Sequence, residues 1–272
     1  MSPARDGRAD GAPRRDPAAL KRRMAAGELT IGSWIQLGHP SIGEVLGSAG
    51  FDWLVIDLEH SVITLPEAQA LMTAIAPTGA ATIVRLSSND PVQIKRVMDA
   101  GATGVMVPNV RSAAEARAAV EAVHYPPRGT RGVGLARAQG YGAGTGFAAY
   151  RDALADTAVV IVMIEHVDAV EAIDDILAVE GVDGWVVGPY DLSGSLGIPG
   201  ALDDARVTGL LERVREAGER AGTPGGLHQV EPDPAALEAL VARGFRFLGY
   251  GTDARFLDVT ARRDLARLQR GG

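Results

Sequence analysis

The run Val159-Val160-Ile161-Val162-Met163-Ile164-Glu165 holds six consecutive apolar residues, mostly β-branched, and ends in a carboxylate. A strand with one face in water alternates apolar and polar residues. This one does not, so both of its faces are covered, as in a parallel sheet packed between helices. Similar runs recur on either side at Leu29 to Gln36, Trp53 to Asp57, Thr82 to Leu86, Gly104 to Pro108, Gly184 to Val187, Gly225 to Gln229 and Phe245 to Tyr250. Ala- and Leu-rich stretches with helix-start signals separate them. Pro66 precedes Glu67, Asn89-Asp90 precede Pro91, Ser112 stands three residues before Glu115, and Asp233-Pro234 open a helix that Gly244 closes. Eight such β/α units in roughly 250 residues predict an α/β fold of the TIM (β/α)8 barrel type. The rival is a doubly wound open sheet, but no G-x-G-x-x-G follows the first strand. Residues 17–272 read as one barrel domain. Residues 1–16 are polar and rich in Arg and Pro, and read as a disordered tail.

Composition narrows the function. The chain has 272 residues, 46% hydrophobic and 22% charged, with 27 basic against 34 acidic side chains and a net charge of −7. Nucleic-acid binding needs a basic face, so no nucleic-acid partner is expected. There is no cysteine, which excludes disulfides, thiolate metal sites and cysteine nucleophiles. No apolar run approaches the roughly 20 residues that span a bilayer, and the N-terminus has no secretory apolar core. No membrane partner is therefore expected, and the default compartment is the cytoplasm.

In a barrel, chemistry sits at the C-terminal ends of the strands. There the sequence places Asp57-Leu58-Glu59-His60, Arg85, Glu165-His166, Gly188-Pro189-Tyr190-Asp191 and His228-Gln229. Glu165 and Asp191 end adjacent strands. Two carboxylates side by side repel unless protonated or bridged by a cation, and oxygen ligands suit Mg²⁺ or Mn²⁺. The alternative for Asp191 is a helix cap. Arg85 is either an ion-pair partner for a neighbouring carboxylate or a receptor for a substrate carboxylate. His60 is a general base, a metal ligand or a hydrogen-bonded structural histidine, and Asp57 or Glu59 sets its tautomer or is simply solvated. His228 reads as substrate-facing, His124 as structural, His166 as a helix-start residue and His39 as a weaker candidate. The Gly-rich stretch from Gly129 to Gly146, which follows Arg128 and carries Arg131 and Arg137, is not a phosphate loop, since G-K-[ST] is missing. It is a functional or interface loop that could lend charge to an anionic substrate.

The segments Gly50-Phe51-Asp52-Trp53-Leu54-Val55-Ile56-Asp57-Leu58-Glu59-His60, Asn89-Asp90-Pro91-Val92-Gln93-Ile94-Lys95, Tyr125-Pro126-Pro127 with Arg131-Gly132-Val133-Gly134, Val179-Glu180-Gly181-Val182-Asp183-Gly184 and Gly188-Pro189-Tyr190-Asp191-Leu192-Ser193 resemble the HpcH/HpaI aldolases. The resemblance covers about Gly32 to Leu257. These are class II pyruvate aldolases related to 4-hydroxy-2-oxoheptanedioate and 2-keto-3-deoxy sugar-acid aldolases. The resemblance implies a TIM barrel, a homo-hexamer whose subunits exchange their last helix, and a divalent metal (Mg²⁺, Mn²⁺ or Co²⁺) held by Glu165 and Asp191. It also implies pyruvate chelated by that metal, Arg85 beside the enolate, and His60 as the base working through metal-held water. Asp99 would orient that histidine, the backbone from Gly188 to Asp191 would receive the pyruvate carboxylate, and Trp34 would line the mouth.

Some positions depart from the family pattern. Met163 replaces a glutamine, Tyr190 replaces a small residue, His228 replaces an apolar one, and the loop around Gly134 to Tyr141 looks shorter. Trp34, Asp57, Gly188, Pro189, Tyr190 and His228 are taken as substrate-binding, with Tyr190 and His228 favouring a polar aldehyde. The expected activity is metal-dependent cleavage or formation of the C–C bond of a 4-hydroxy-2-oxo acid. No lysine ends strands five to seven, which argues against a Schiff-base aldolase. The alternatives are a citrate-lyase-β-like acyl-CoA lyase, testable by melts with CoA esters, and a non-catalytic keto-acid-binding barrel, which would not exchange pyruvate methyl protons.

Overall fold

The computed structural model describes Asp16, residues 18–143 and residues 146–270. Apart from Asp16, the tail expected over residues 1–16 lies outside the described residues. Eight parallel strands close into a barrel in sequence order: β1 Thr30–Ile35, β2 Trp53–Asp57, β3 Ala81–Arg85, β4 Gly104–Val107, β5 Val159–Ile164, β6 Gly184–Val187, β7 Gly225–Gln229 and β8 Phe247–Thr252. The (β/α)8 expectation holds, and the expected strands agree with the observed ones to within two residues at either end. The helices are α1 Ala19–Ala25, α2 Pro40–Ala49, α3 Leu65–Ile75, α4 Pro91–Asp99, α5 Ala113–Val123, α6 Phe147–Thr157, α7 Val167–Glu171, α8 Ile173–Leu177, α9 Pro189–Ser195, α10 Ala205–Ala221, α11 Pro234–Ala242 and α12 Asp253–Arg270.

The helix starts follow their local chemistry. Asp90 and Asp233 accept backbone N–H groups at the heads of α4 and α11, Ser112 does so for α5, and Thr64 with Glu67 forms a capping box on α3. His39 and His166 also act as caps, each accepting an N–H at Nδ1.

Strand alternation splits the core into two. One set of side chains, among them Trp53, Val55, Ile83, Met106, Ile161, Met163, Val186 and Phe247, fills the barrel interior. Leu20 and Met24 of α1 join this set, so α1 stops the N-terminal end. The other set, including Leu54, Ile56, Val84, Val160, Val162 and Ile164, packs outward against the helices. The inward set ends at the C-terminal rim in polar groups: after Trp53 and Val55 comes Asp57, after Ala81 and Ile83 comes Arg85, and after Ile161 and Met163 comes Glu165. A period of two therefore carries charge to one mouth.

Candidate active site

The β2–β3 register sets Asp57 directly beside Arg85. Arg85 grips Asp57 with two bonds, from Nε to Oδ1 at 2.9 Å and from Nη2 to Oδ2 at 2.6 Å. Asp57 is fully buried and also accepts the backbone N–H groups of Glu59 at 3.0 Å and His60 at 3.1 Å. Burial works to raise its carboxyl. The Arg85 bonds and charge, with those two N–H groups, outweigh it and hold the carboxyl below the usual range. Arg85 is thus an ion-pair partner of a neighbouring carboxylate, and its third nitrogen, Nη1, lies 3.5 Å from Glu59 Oε2. Asp57, expected to bind substrate, is occupied in orienting Arg85 and the turn that carries His60.

Beyond this pair lies a cavity of about 200 Å³, whose wall includes Glu59, His60, Asn109, Arg111, Glu165 and Asp191. Glu165 is 7% exposed. Its carboxyl is pushed up to about 7, first by burial and then by the charges of Glu59 and Asp191, against the Asn109 N–H and Arg85. Glu59 is pushed up by burial, then by Asp57 and Asp191, with Arg85 opposing, and its Oε2 is buried without a hydrogen-bond partner among the described residues. Asn109 donates its backbone N–H to Glu165 Oε2 at 2.7 Å. Gly188 faces Glu165 just past β6: a Cβ at that position would stand 2.8 Å from Glu165 Oε1, so a larger residue would force the carboxylate to move. Asp191 is exposed in the first turn of α9; Gly188 is the N-cap residue there, so Asp191 is not the cap that the alternative reading supposed.

Other expected residues are placed differently. The His60 ring is 61% exposed on the rim, with Nε2 3.9 Å from Glu59 Oε2. Asp99 does not meet it within the chain. It closes α4 at the opposite, N-terminal end of the barrel and binds buried Arg131 at 2.6 Å. Arg137 likewise turns to the carbonyl of Ala100 at 3.0 Å. These two loop arginines therefore serve that end, away from their own chain's mouth. Trp34 does not line the mouth: it is 2% exposed and level with Val55 on β2, two residues below Asp57, because its place on β1 points it into the barrel. There it stacks on His228 at 4.0 Å and 10°. A Cβ on Gly249 would strike that Trp34 ring at 2.4 Å, so a second glycine makes room for the stack. His228 binds the Gly251 carbonyl through Nε2 at 2.8 Å, and burial pushes it down to about 4, so it is neutral and already partnered. Tyr190 is 65% exposed. Pro189 opens α9. His124 is buried, as expected of a structural histidine, and is pushed down to about 4 by burial and then by Lys21, Arg128 and Arg131.

Asn109 and Arg111 escaped sequence reading. The available signal was an asparagine just past the fourth strand, since asparagine tolerates the left-handed backbone that Asn109 adopts at φ 57°.

Residues 30–258 match the family described as HpcH/HpaI aldolase/citrate lyase. The chain belongs to this family. The hydroxypyruvate/pyruvate aldolase of Sagittula stellata is 37% identical over 243 residues, covering 89% of this chain and 94% of the relative. The 4-hydroxy-2-oxo-heptane-1,7-dioate aldolase of Klebsiella pneumoniae is 39% identical over 250 residues, covering 88% and 89%. The crystal structure of an HpcH/HpaI aldolase from Desulfitobacterium hafniense superposes with a TM-score of 0.86 at 33% identity, covering 92% of this chain and 96% of that one. Among the described residues, no helix is long and apolar enough to cross a membrane.

Glu59, Glu165 and Asp191 are the oxygen donors that face the cavity. Among the described residues, no three His, Asp or Glu side chains form a ready-made ligand group. Three carboxylates nevertheless share one cavity wall; burial, and then neighbouring negative charge, raises Glu165 and Glu59, and Glu59 Oε2 has no hydrogen-bond partner among the described residues. A site with two carboxylates and open positions suits a hard cation that keeps water and substrate oxygens in its shell.

Proposed function

We propose that the protein is a metal-dependent aldolase that forms or cleaves the C–C bond of a 4-hydroxy-2-oxo acid, with pyruvate as the nucleophilic half. The observation that carries this reading is the buried Glu165 carboxylate, which Asp191 and Glu59 crowd with like charge. Glu165 and Asp191 would hold the cation. Bound Mg²⁺, Mn²⁺ or Co²⁺ would supply a Lewis acid to the 2-oxo group of the substrate. The two aldolase relatives, matched over nearly their whole length, support the same reaction class.

The chain's own residues divide the remaining tasks. Asp57 holds Arg85 by its Nε and Nη2 edge, leaving Nη1 as the donor that stabilises a developing oxyanion. His60, on the rim, takes the C4 hydroxyl proton in cleavage and returns it in synthesis. The N–H groups of the first turn of α9, at Tyr190 and Asp191, receive the substrate carboxylate, and Pro189 pre-sets that turn. Trp34 and His228 form a stacked floor beneath the site. With Nε2 spent on Gly251, His228 has only Nδ1 to offer a polar aldehyde. Asp99 keeps its structural pairing with Arg131.

We further propose a homo-hexamer with exchanged α12 helices. Helix α11 is apolar, and its Leu237, Leu240 and Val241 are only half-buried against the core. It flanks a groove lined by Leu29, Ile31, Leu237, Val241 and Tyr250. Helix α12 carries Leu257, Leu265 and Leu268 at 58%, 56% and 77% exposure. A partner's α12 laid in that groove would cover both surfaces.

The test is a retro-aldol screen over 2-keto-3-deoxy acids, with pyruvate release coupled to lactate dehydrogenase and run with and without EDTA. Release that depends on added Mg²⁺, Mn²⁺ or Co²⁺ is the expected result. Full activity in metal-free protein, or no exchange of pyruvate methyl protons in D₂O under any metal, overturns the reading.

A further inference from the structure

Asp253, the first residue of α12, is a carboxylate at 2% exposure with no cation paired to it among the described residues. Backbone N–H groups hold it instead. Gln36 donates to Oδ1 at 3.1 Å and to Oδ2 at 3.0 Å, Leu37 donates to Oδ2 at 2.8 Å, and Ala254 donates to Oδ1 at 2.8 Å. Capping α12 does not account for this buried charge, since Thr252 Oγ1 already accepts the Arg255 N–H at 3.1 Å. Gln36 and Leu37 belong to the connection that follows β1. A buried charge without a counter-ion is costly unless fixed hydrogen bonds satisfy it, and here those bonds pin the chain at Gln36 and Leu37. Gln36 carries this fixation to the site. It stands one step past the Ile35–Ile56 pair, level with Asp57, and continues the inward row of Trp34. Its Nε2 donates to Asp57 Oδ2 at 3.3 Å. Asp57 Oδ1 has the N–H groups of Glu59 and His60 and Arg85 Nε as donors. Among the described residues, Oδ2 has only Arg85 Nη2 and Gln36.

We propose that Gln36 and Asp253 are positioning residues for Arg85. Asp253 fixes the backbone at Gln36, the Gln36 amide fixes Asp57, and Asp57 holds the guanidinium with Nη1 toward the reacting oxygen. The head of α12 is thereby connected to the oxyanion donor. This assignment rests on the aldolase reading, in which Arg85 Nη1 stabilises the pyruvate enolate. Without the amide, carboxylate and guanidinium can turn together as a pair, so Nη1 moves while the ion pair survives. A donor aimed at developing charge loses its effect when its position spreads. The loss therefore falls on enolate formation and not on the binding of pyruvate.

The experiment follows exchange of pyruvate methyl protons in D₂O by full-length protein with saturating Mg²⁺, Mn²⁺ or Co²⁺, whichever supports the fastest exchange in wild type. Isothermal titration gives pyruvate affinity in parallel. Gln36→Leu should lower the exchange rate at saturating pyruvate about 10- to 100-fold, with pyruvate affinity changed by less than about twofold. Gln36→Glu keeps the shape but sets a second carboxylate against Asp57, with Arg85 and Asp253 as the other charged groups around it. It should be slower than Gln36→Leu at about pH 8 and recover relative to wild type toward about pH 6, because a protonated carboxyl again donates to Oδ2. Taking the ratio to wild type cancels the titration of His60, Glu59 and Glu165, which both proteins share. Asp253→Asn should slow exchange in the wild-type background and much less in the Gln36→Leu background, since the two residues act in series; should this variant fail to fold, the two Gln36 variants decide. Wild-type exchange in Gln36→Leu overturns the assignment, as does an equal loss of exchange and pyruvate affinity, or a Gln36→Glu that tracks wild type at every pH. No exchange by wild type under any of the three cations removes the aldolase reading and this inference with it, so the two failures are distinct.

Discussion

Replacing Glu165 with glutamine isolates the charge that the cavity resists. The carboxyl is 7% exposed and stands at about 7 in the folded chain against an ordinary 4.5, first because of burial and then because of Glu59 and Asp191. The folded state therefore binds this proton more tightly than the unfolded state. Stability from the group is complete below the unfolded value and is lost as pH rises toward about 7. At about 1.4 kcal/mol per pH unit, the loss is on the order of 3 kcal/mol. Glutamine keeps the shape and can still accept the Asn109 N–H, but it does not ionise. In chelator-treated protein, the stability of Glu165→Gln minus that of wild type should therefore grow by about 3 kcal/mol between about pH 4 and pH 8. In thermal melts this amounts to about 5–10 °C for a chain of this size. The difference is the quantity to measure. His124 and His228, both pushed down to about 4, act in the opposite sense, adding stability as pH rises through the window below their ordinary 6.5. They are common to both proteins and cancel. A saturating divalent cation should then stabilise wild type more than the variant, by about 3 kcal/mol at a hundredfold excess over Kd. Parallel pH profiles of the two proteins in EDTA would refute the argument that Glu165 is a destabilised anion awaiting a cation.

Gly188→Ala puts a methyl 2.8 Å from Glu165 Oε1 and 2.9 Å from its Cγ, so metal affinity should fall while far-UV circular dichroism is preserved; isothermal titration with Mn²⁺ checks this, and an unchanged Kd counts against the placement. Arg85→Lys breaks a two-bond grip on a fully buried aspartate and should cost about 3 kcal/mol in urea unfolding as well as turnover; near-normal values of both would show that the planar fork is dispensable. His60→Ala should lower kcat about 10²–10⁴-fold with little change in pyruvate affinity, since a base acts chiefly in the transition state; an equal loss in both would point to binding instead. Removing α12 from Arg255 onward should lower the mass seen by light scattering or make the protein insoluble, and an unaltered assembly would rule out the exchanged helix.

The barrel and the position of its mouth were legible in the sequence. Continuous apolar runs such as Val159 to Ile164 need cover on both faces, and each run hands over to polar residues at the same end. That reading depends on alternation within one strand, a property of residues two apart, and so it survives without coordinates. Asp57, Glu59, His60, Arg85, Glu165 and Asp191 were found in this way. What each touches was not legible. Whether Arg85 pairs with a neighbour or waits for substrate depends on the β2–β3 register, which sets it against Asp57. Whether Trp34 and His228 face the mouth depends on how far below the rim their rows fall once the barrel closes, and this places them in one stack, Trp34 buried and His228 half-buried. Asp99 sits in a motif that resembles a catalytic one, yet the return direction of α4 carries it to the far end of the same chain. Asn109 and Arg111 have no periodic signature, because their places depend on one left-handed backbone angle, a bond between the two residues and a bond to Glu165 at the end of the neighbouring strand. Local pattern decides which residues point inward. Only closure of the sheet, with its stagger between strands, decides which of them meet.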